Sequence, residues 1–394
     1  MYLSTQDYSE RTKRALNFFF AHDNSTRFVI IRRHGWEAAR NLECYFLKKH
    51  QETHFIDGAT KLGIMNEPHP VLCAKYHCLS NWLGGIDMGF YDDYRNSGKA
   101  YVSYMTPDCS IGSPFLPSPA TWTVPMEMMI AIYTWHARNG KFLNNDRLYF
   151  CLTDHVQAGG PYHMGYFAED DHALEPWERL RFEPGTATIE PGPPPDLSDE
   201  WPLARREAAL EKYNGEYVLG GFAQTALMLG EDESIAIAER SHFANVVQWV
   251  RPFTVDLGWT GDTPVTRYAD LFCKIWGLIG DKFDVHTENG DVFVENTKTR
   301  LYTPQYVGWE YPPRRLEEAF ARAWTAASRA VGPGVEVSVV KSRMDGDEHT
   351  IWRFRQTDHS AFIGGPGEYD AVVTHARELM TNYWEKDPVV ASVL

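Results

Sequence analysis

The sequence contains one internal duplication, and this feature constrains the fold more than any other. Residues in the second half repeat the order of residues in the first half at an offset that starts at 195 residues and shrinks slowly along the chain. The first matched positions are Leu62-Gly63 with Leu257-Gly258, Glu67 with Asp262, Cys78 with Cys273, Leu83 with Leu278, and Gly85 with Gly280. So many unlike residues at one offset indicate a duplicated structural unit.

The match continues into the later part of each copy. Gly98 to Val102 corresponds to Gly290 to Val294, Trp135 to Trp324, and the pair Gly159 and Phe167 to Gly346 and Phe354. Small losses of loop residues explain the stepwise decrease of the offset. The chain therefore has to form the same unit twice.

Hydrophobic spacing predicts the elements of this unit. Two helices are expected between residues 5 and 50, a helix over 71–83, a strand over 100–105, an amphipathic helix over 125–139 and a hairpin over 148–167. These elements predict an α+β fold in which each copy has an antiparallel sheet with helices. The two copies are expected to pack as a pseudo-dimer within one chain.

The predicted domains follow from the duplication. The first unit covers 1–168, a proline-rich linker covers 169–201, the second unit covers 202–356, and a tail over 357–394 carries a last helix from Tyr369 to Tyr383. The linker is expected to be semi-rigid because of its proline density.

Composition excludes several classes of function. The net charge of −15 argues against nucleic acid or an anionic membrane as the main partner. Six cysteines in 394 residues suit reduced thiols better than a disulfide framework. Because no apolar run reaches about 18 residues and the first residues lack a signal pattern, we expect a cytoplasmic protein. The aromatic fraction of 14% fits a cavity for an aromatic or flat apolar ligand.

The most informative difference between the two copies is at the hairpin. His155 and His163 lie where the first hairpin loop meets its strands, and the second copy has Ser342 and Thr350 at the matching positions. Residues that face each other across a hairpin have Cβ atoms about 5 Å apart, so two imidazoles there could share a metal or a substrate. This difference predicts that the first copy carries the chemistry.

The closing part of the repeat resembles a known group of domains. The second copy runs from a strand at Glu336 through Gly346-Asp347-Glu348-His349 to the aromatic strand Trp352-Arg353-Phe354. This pattern resembles the four-vinyl-reductase domain group, which includes ligand-sensing domains of phenol-responsive regulators and is related in fold to the TRAPP small subunits. The aminothiazoline-carboxylate hydrolase family has a similar closing pattern. The resemblance covers the second half of each repeat best.

The resemblance also suggests which positions to compare. In metal-binding members of the group, two cysteines spaced Cys-x7-Cys surround the glycine turn, and the matching residues here are His155 and His163 in the first copy. Neither copy keeps the thiolates, so a structural zinc is not implied, although the two histidines could still bind a metal. A cysteine before a loop is also common in the group, and Cys109 stands in that place, whereas its counterpart is Leu301.

The candidate site residues all belong to the first copy. His155 and His163 would bind Zn²⁺ or Fe²⁺ with one position open, or act as acid and base without a metal, with Asp154 and Cys109 assisting. The substrate-binding candidates are Tyr162, Trp122 and Trp135. The competing interpretation is structural, because histidines beside a hairpin loop are often packing residues and an isolated cysteine is often a small buried one. His77 and His136 carry no second signal.

These observations predict an enzyme, a hydrolase or lyase of a small aromatic or flat apolar compound, with or without help from a metal. The alternatives are a non-catalytic, sensor-type protein that binds an aromatic ligand, and an assembly scaffold. No P-loop or dinucleotide-binding glycine pattern occurs, so no nucleotide cofactor is expected. The chain could also form a homodimer.

Overall fold

The computed structural model describes residues 9–104, 126–155, 160, 162–185, 190, 192–256, 258, 261–299, 314–330, 334–357 and 366–381. Within these residues the chain is α+β, with two sheets and several long helices, as predicted. No helix in the described ranges is both long enough and apolar enough to span a bilayer.

The first half contains a long helical segment followed by helices and strands in alternation. Its elements are α1 Glu10–Lys61, α2 His69–Leu83, β1 Met88–Asp93, α3 Tyr94–Ser97, β2 Lys99–Tyr104, α4 Met126–Ala137, α5 Asn139–Phe142, β3 Leu148–Asp154, β4 His163–Glu169 and β5 Leu180–Phe182.

The second half repeats this order. Its elements are α6 Leu203–Leu229, α7 Glu231–Asp256, α8 Pro264–Gly277, β6 Lys282–Glu288, β7 Asp291–Lys298, α9 Arg314–Ser328, β8 Val335–Lys341, β9 Thr350–Gln356 and a last helix, α10 Pro366–Leu379.

Four strands of each sheet follow the same order, and the first sheet has an additional edge strand, β5. The first sheet runs β1-β2-β4-β3-β5 and the second runs β6-β7-β9-β8. Neighbouring strands are antiparallel except that β5 lies parallel to β3. The predicted hairpin is confirmed as the β3–β4 pair, and its counterpart is the β8–β9 pair. The duplication seen in the sequence is therefore a duplication of topology.

The duplication extends into the long helices, where sequence comparison alone showed no match. Helix α1 is interrupted at Gly35, which has φ 83° and ψ 175°. Gly230, 195 residues later, separates α6 from α7 with φ 90° and ψ 158°. Only glycine adopts this combination of angles readily, so each copy starts with two long helices that meet at a glycine.

The two units exchange parts of their cores. Phe18 and Phe19 in α1 belong to the hydrophobic cluster of the second sheet, together with Phe222 and Trp276. In return, Ile237 in α7 packs into the cluster of the first sheet. Helix α1 contacts both α6 and α7. Each half of the chain therefore contributes side chains to the hydrophobic cluster around the sheet of the other half.

The predicted linker begins inside the first sheet. Leu180 to Phe182 pair in parallel with β3, and Gly192 forms a bridge with Phe90 of β1. The predicted tail helix is present as α10, which starts before Tyr369, the predicted first residue, and ends before Tyr383, the predicted last residue. Among the described residues, Cys44, Cys73, Cys78, Cys151 and Cys273 are free of disulfides, as reduced thiols require.

Candidate active site

A group of buried tyrosines and histidines lies at one end of the first sheet. Strand β2 ends at Tyr104 and strand β4 begins at His163, and these two residues face each other in the register. Helix α4 packs across them and contributes Tyr133 and His136. All four side chains are buried, with 1% to 4% exposed. We call these four residues the tyrosine–histidine site.

The hydrogen bonds of His136 determine where its proton lies. Its Nδ1 is 2.7 Å from the carbonyl oxygen of Ile132, and its Nε2 is 3.1 Å from the hydroxyl of Tyr104. A carbonyl can only accept, so Nδ1 carries the proton and Nε2 accepts from the Tyr104 hydroxyl. Burial lowers the pKa of His136 to about 4, although the bond to the Ile132 carbonyl opposes the shift. The imidazole is therefore neutral at pH 7 and offers a lone pair to a phenol.

A second tyrosine–histidine pair lies beside the first. The hydroxyl of Tyr133 is 2.9 Å from Nδ1 of His163. Tyr133 and His136 are three residues apart on α4, which places them on neighbouring positions of one helix face. The site thus has two phenols and two imidazoles in two hydrogen-bonded pairs.

A buried polar network extends from this site into the unit. The Asn81 amide donates to the Tyr104 hydroxyl at 3.4 Å and to the His77 carbonyl at 2.7 Å. The His77 ring stacks on His136 with 4.0 Å between centroids. Burial, reinforced by the charge that His136 would carry, holds the pKa of His77 well below its usual range. The Asn139 amide then donates to Nε2 of His77 at 2.7 Å.

The residues of this network are not repeated at the matching positions of the second unit. Phe272 and Trp276 occupy the positions of His77 and Asn81, and both are buried apolar rings in the second core. The other counterparts are Asn296 for Tyr104, Arg322 for Tyr133, Thr325 for His136 and Thr350 for His163. The difference between the copies that the hairpin showed in sequence therefore continues through the helices around it.

The two hairpin positions of the second unit share one hydrogen-bond partner. Ser342 and Thr350 both donate to the buried carboxyl of Glu317, at 2.5 Å and 2.8 Å. Burial raises the pKa of Glu317, and the two hydroxyls oppose that shift. Residues at the two positions can thus reach a common partner on the helix above the sheet.

The first-unit residues at these positions have different partners. His163 is bonded to Tyr133, whereas Nδ1 of His155 is buried with no hydrogen-bond partner among the described residues. Asp154 faces Met164 after an irregularity in the β3–β4 register. In the described part of the chain, neither histidine belongs to a group of three metal-ligand donors. Their role as a metal pair stays a prediction.

Two of the remaining predicted residues, Trp135 and Tyr162, lie in the described part of the chain. Trp135 is 5% exposed and packs edge-on against His77 at 4.6 Å, so it is part of the core beside the site. Tyr162 is half-buried, and its pKa is raised by burial and by the charges of Glu190 and Asp154. Cys109 and Trp122 lie outside the described residues.

A separate cleft lies on another side of α4. It has a volume of about 920 Å³ and combines the exposed rings of Trp177 and Phe182 with the cations Arg138, Lys141 and Arg179. Its described lining contains no histidine or cysteine. None of the predicted site residues lines it.

No protein-family model, curated protein or solved structure matches this chain. The resemblance to the four-vinyl-reductase group therefore stays a prediction.

The local sequence patterns did not single out Tyr104, Tyr133 and His136, because each looks ordinary on its own strand or helix. The available signal was the comparison of the two copies at every position, since each of these residues is replaced by an unlike residue in the second copy.

Proposed function

We propose that the protein is an enzyme, a hydrolase or lyase of a small aromatic compound, and that its first unit catalyses proton transfer through the tyrosine–histidine site. The observation that carries the proposal is the bond from the Tyr104 hydroxyl to a neutral His136 imidazole whose tautomer is set by the Ile132 carbonyl. We further propose that each unit has the four-vinyl-reductase-like fold.

The two pairs provide the groups that acid–base catalysis needs. The neutral imidazole of His136 can take the proton of Tyr104 while the phenol exchanges a proton with the substrate. Tyr133 and His163 provide a second phenol and imidazole, so one pair can act as the base and the other as the acid. In this proposal Asp154 and Cys109 keep their predicted assisting roles, and His155 keeps its predicted role as a metal ligand or acid/base group.

The surroundings of the site favour a flat apolar substrate. The rings of His77 and Phe167 are nearly parallel, at an interplanar angle of 6°, and the ring of Phe150 lies 4.8 Å from His136. A planar apolar molecule held against this aromatic cluster can stack on a ring face, whereas a charged aliphatic molecule would lose its hydration without compensation.

The test is a turnover screen of the purified protein with aryl esters, aryl amides and aryl ketones. We expect Tyr104→Phe and Tyr133→Phe to lower kcat about 100-fold, because each removes a proton-transfer group. The matched control is Tyr268→Phe in the second unit, where a buried tyrosine hydroxyl donates to the Trp324 carbonyl at 2.6 Å. If Tyr268→Phe lowers kcat as much as the site variants do, the loss reflects packing and the proposed roles are wrong.

The competing function is ligand binding without turnover, and the cleft beside α4 favours it. The cleft offers exposed aromatic rings and cations but no described histidine or cysteine for catalysis. Saturable binding of aromatic compounds with no turnover in the whole screen would decide for this function and against the enzyme.

A further inference from the structure

The structure brings three metal-ligand donors together on α1 and α6, and none of them is one of the predicted hairpin histidines. His50 and His54 are four residues apart on α1, so both point from the same face of the helix. Their ring centroids are 5.0 Å apart. Glu216 reaches them from α6, the first helix of the second unit.

The donor atoms of the three side chains converge on one point. Oε1 of Glu216 is 3.0 Å from Nδ1 of His50 and 2.8 Å from Nε2 of His54. All three ligand atoms lie within 4.8 Å of one another. Two ligands of a tetrahedral zinc ion lie roughly 3.3 Å apart, which follows from metal–nitrogen distances near 2 Å. An ion therefore fits after small movements of the side chains.

The charge at this point is also right for a cation. The side chains of His50 and Glu216 are each only 8% exposed. Within the described ranges, His50 and His54 are the partners of the Glu216 carboxylate, and no lysine or arginine forms an ion pair with it.

We infer that His50, His54 and Glu216 bind one divalent first-row transition metal, Zn²⁺ or Fe²⁺. Two histidines and one carboxylate are a ligand set that both ions accept, and three protein ligands leave a further position for water. The side chain of His54 is 17% exposed, so solvent can reach the group of ligands from its side.

The duplication allows the number of bound ions per chain to be predicted. The counterpart positions are Asn245 for His50, Trp249 for His54 and Ala21 for Glu216. Asn245 uses its amide to bond the Phe18 carbonyl at 3.2 Å. The second position of the pseudo-dimer therefore lacks the ligands, and the chain is expected to bind one ion rather than two.

The test uses the full-length untagged protein after removal of metal by a chelator. Zn²⁺ is titrated in competition with a chromophoric chelator, and Co²⁺ binding is followed by its visible absorption. We expect one equivalent per chain, and a rise of Tm with Zn²⁺ because the ion binds only the folded state. Glu216→Gln and His54→Gln should each weaken binding more than about 100-fold, since loss of a supporting residue alone costs 10- to 100-fold.

The matched control is His172→Gln. His172 forms a similar group with Asp170 and Asp171, but its side chain is 61% exposed and that of Asp171 is 95% exposed. This variant should titrate like the wild-type protein. Far-UV circular dichroism of each metal-free variant confirms that it is folded, and His54→Gln serves as the second variant if Glu216→Gln fails to fold.

Three results would overturn the inference. The first is a folded wild-type protein that binds no Zn²⁺. The second is that Glu216→Gln and His54→Gln both titrate like the wild-type protein. The third is that His172→Gln loses the one bound Zn²⁺ per chain. The inference goes beyond the proposed enzyme and does not depend on it, because Tyr104→Phe should bind the metal normally. The metal site and the proposed enzyme activity can therefore fail independently of each other.

Discussion

Tyr104 and His163 face each other across neighbouring strands of the first sheet, and each is hydrogen-bonded to a different residue of the same helix turn. Helix α4 therefore holds the ends of β2 and β4 through two buried hydrogen bonds. Such buried bonds stabilise one arrangement strongly, because any alternative leaves a polar group unpaired.

The same two register positions of the second sheet are occupied by Asn296 and Thr350. There Thr350 donates to Glu317 and Asn296 donates to Asp281 at 3.0 Å. The backbone geometry is kept while the side-chain chemistry has changed. Duplication thus produced one scaffold with two different interiors.

Tyr104→Phe is expected to lower the free energy of unfolding by about 1–3 kcal/mol, because Nε2 of His136 loses its donor in a site without described alternatives. Urea denaturation of the variant measures the loss. Tyr268→Phe, which removes a comparable buried bond to a carbonyl, should lose a similar amount. A much smaller loss for Tyr104→Phe would show that its bond to His136 is absent in solution.

Stability is expected to fall in acid because of the buried histidine pair between α1 and α7. Nε2 of His22 is 2.8 Å from Nδ1 of His242, and burial lowers the pKa of His22 to about 3. Burial, followed by the charge of His22, holds the pKa of His242 well below its usual range. The unfolded chain gains protons as the pH falls below about 6.5, whereas the folded pair does not.

The free energy of unfolding should therefore decrease between about pH 6.5 and pH 3, by up to about 1.4 kcal/mol per pH unit for each histidine. The double variant His22→Leu/His242→Leu should show a shallower slope in urea denaturation at several pH values. Parallel curves for the variant and the wild-type protein would contradict the assigned role of this pair.

The two glycines between the long helices should not tolerate a side chain. Gly35→Ala and Gly230→Ala are each expected to cost about 1–3 kcal/mol, since their angles are strained for any residue with a Cβ atom. The controls are Gly215→Ala and Gly221→Ala within α6, where a Cβ atom would also meet nothing within 4 Å. Because those glycines are helical, alanine should stabilise the protein by up to about 1 kcal/mol. Thermal unfolding of the four variants distinguishes backbone strain from packing.

Two tryptophans of the first unit are expected to behave oppositely. Trp135, predicted as a substrate contact, is 5% exposed, and Trp135→Ala should cost about 3–5 kcal/mol through lost packing. Trp177 in the cleft is 76% exposed, so Trp177→Ala should change stability by less than about 0.5 kcal/mol. Chemical denaturation measures both. A stable Trp135→Ala protein with weakened ligand binding would instead support the predicted contact with substrate.

Local patterns were sufficient for most of the fold. The helix that ends before Gly84 and Gly85, the strand at Tyr101 and the hairpin that contains His163 were all predicted from hydrophobic spacing and turn residues. Those signals depend on residues close in the chain, so they can be recognised without knowledge of the tertiary structure. The matched residues of the two copies, at an offset that shrinks slowly along the chain, then predicted the repeated topology.

The candidate sites were predicted only in part. His163 was identified because its counterpart is Thr350, but its partner Tyr133 has no local signal. His50 and His54 show helical spacing for a metal, yet that spacing is common, and Glu216 is 162 residues from His54. The exchange of Phe18 into the second core was not predicted, because an apolar helix face does not specify which apolar surface it covers.

The sequence by itself determined that the chain is α+β, that its unit occurs twice, and that the two copies differ at the hairpin. These properties follow from periodicity and from repeated spacing, which are local or internal to the sequence. Only the tertiary structure decided which helices cross between the units and which side chains meet at Tyr104 and at Glu216. Hydrogen bonds between distant residues depend on packing of whole elements to within a fraction of an ångström, and no pattern of neighbouring residues encodes that distance.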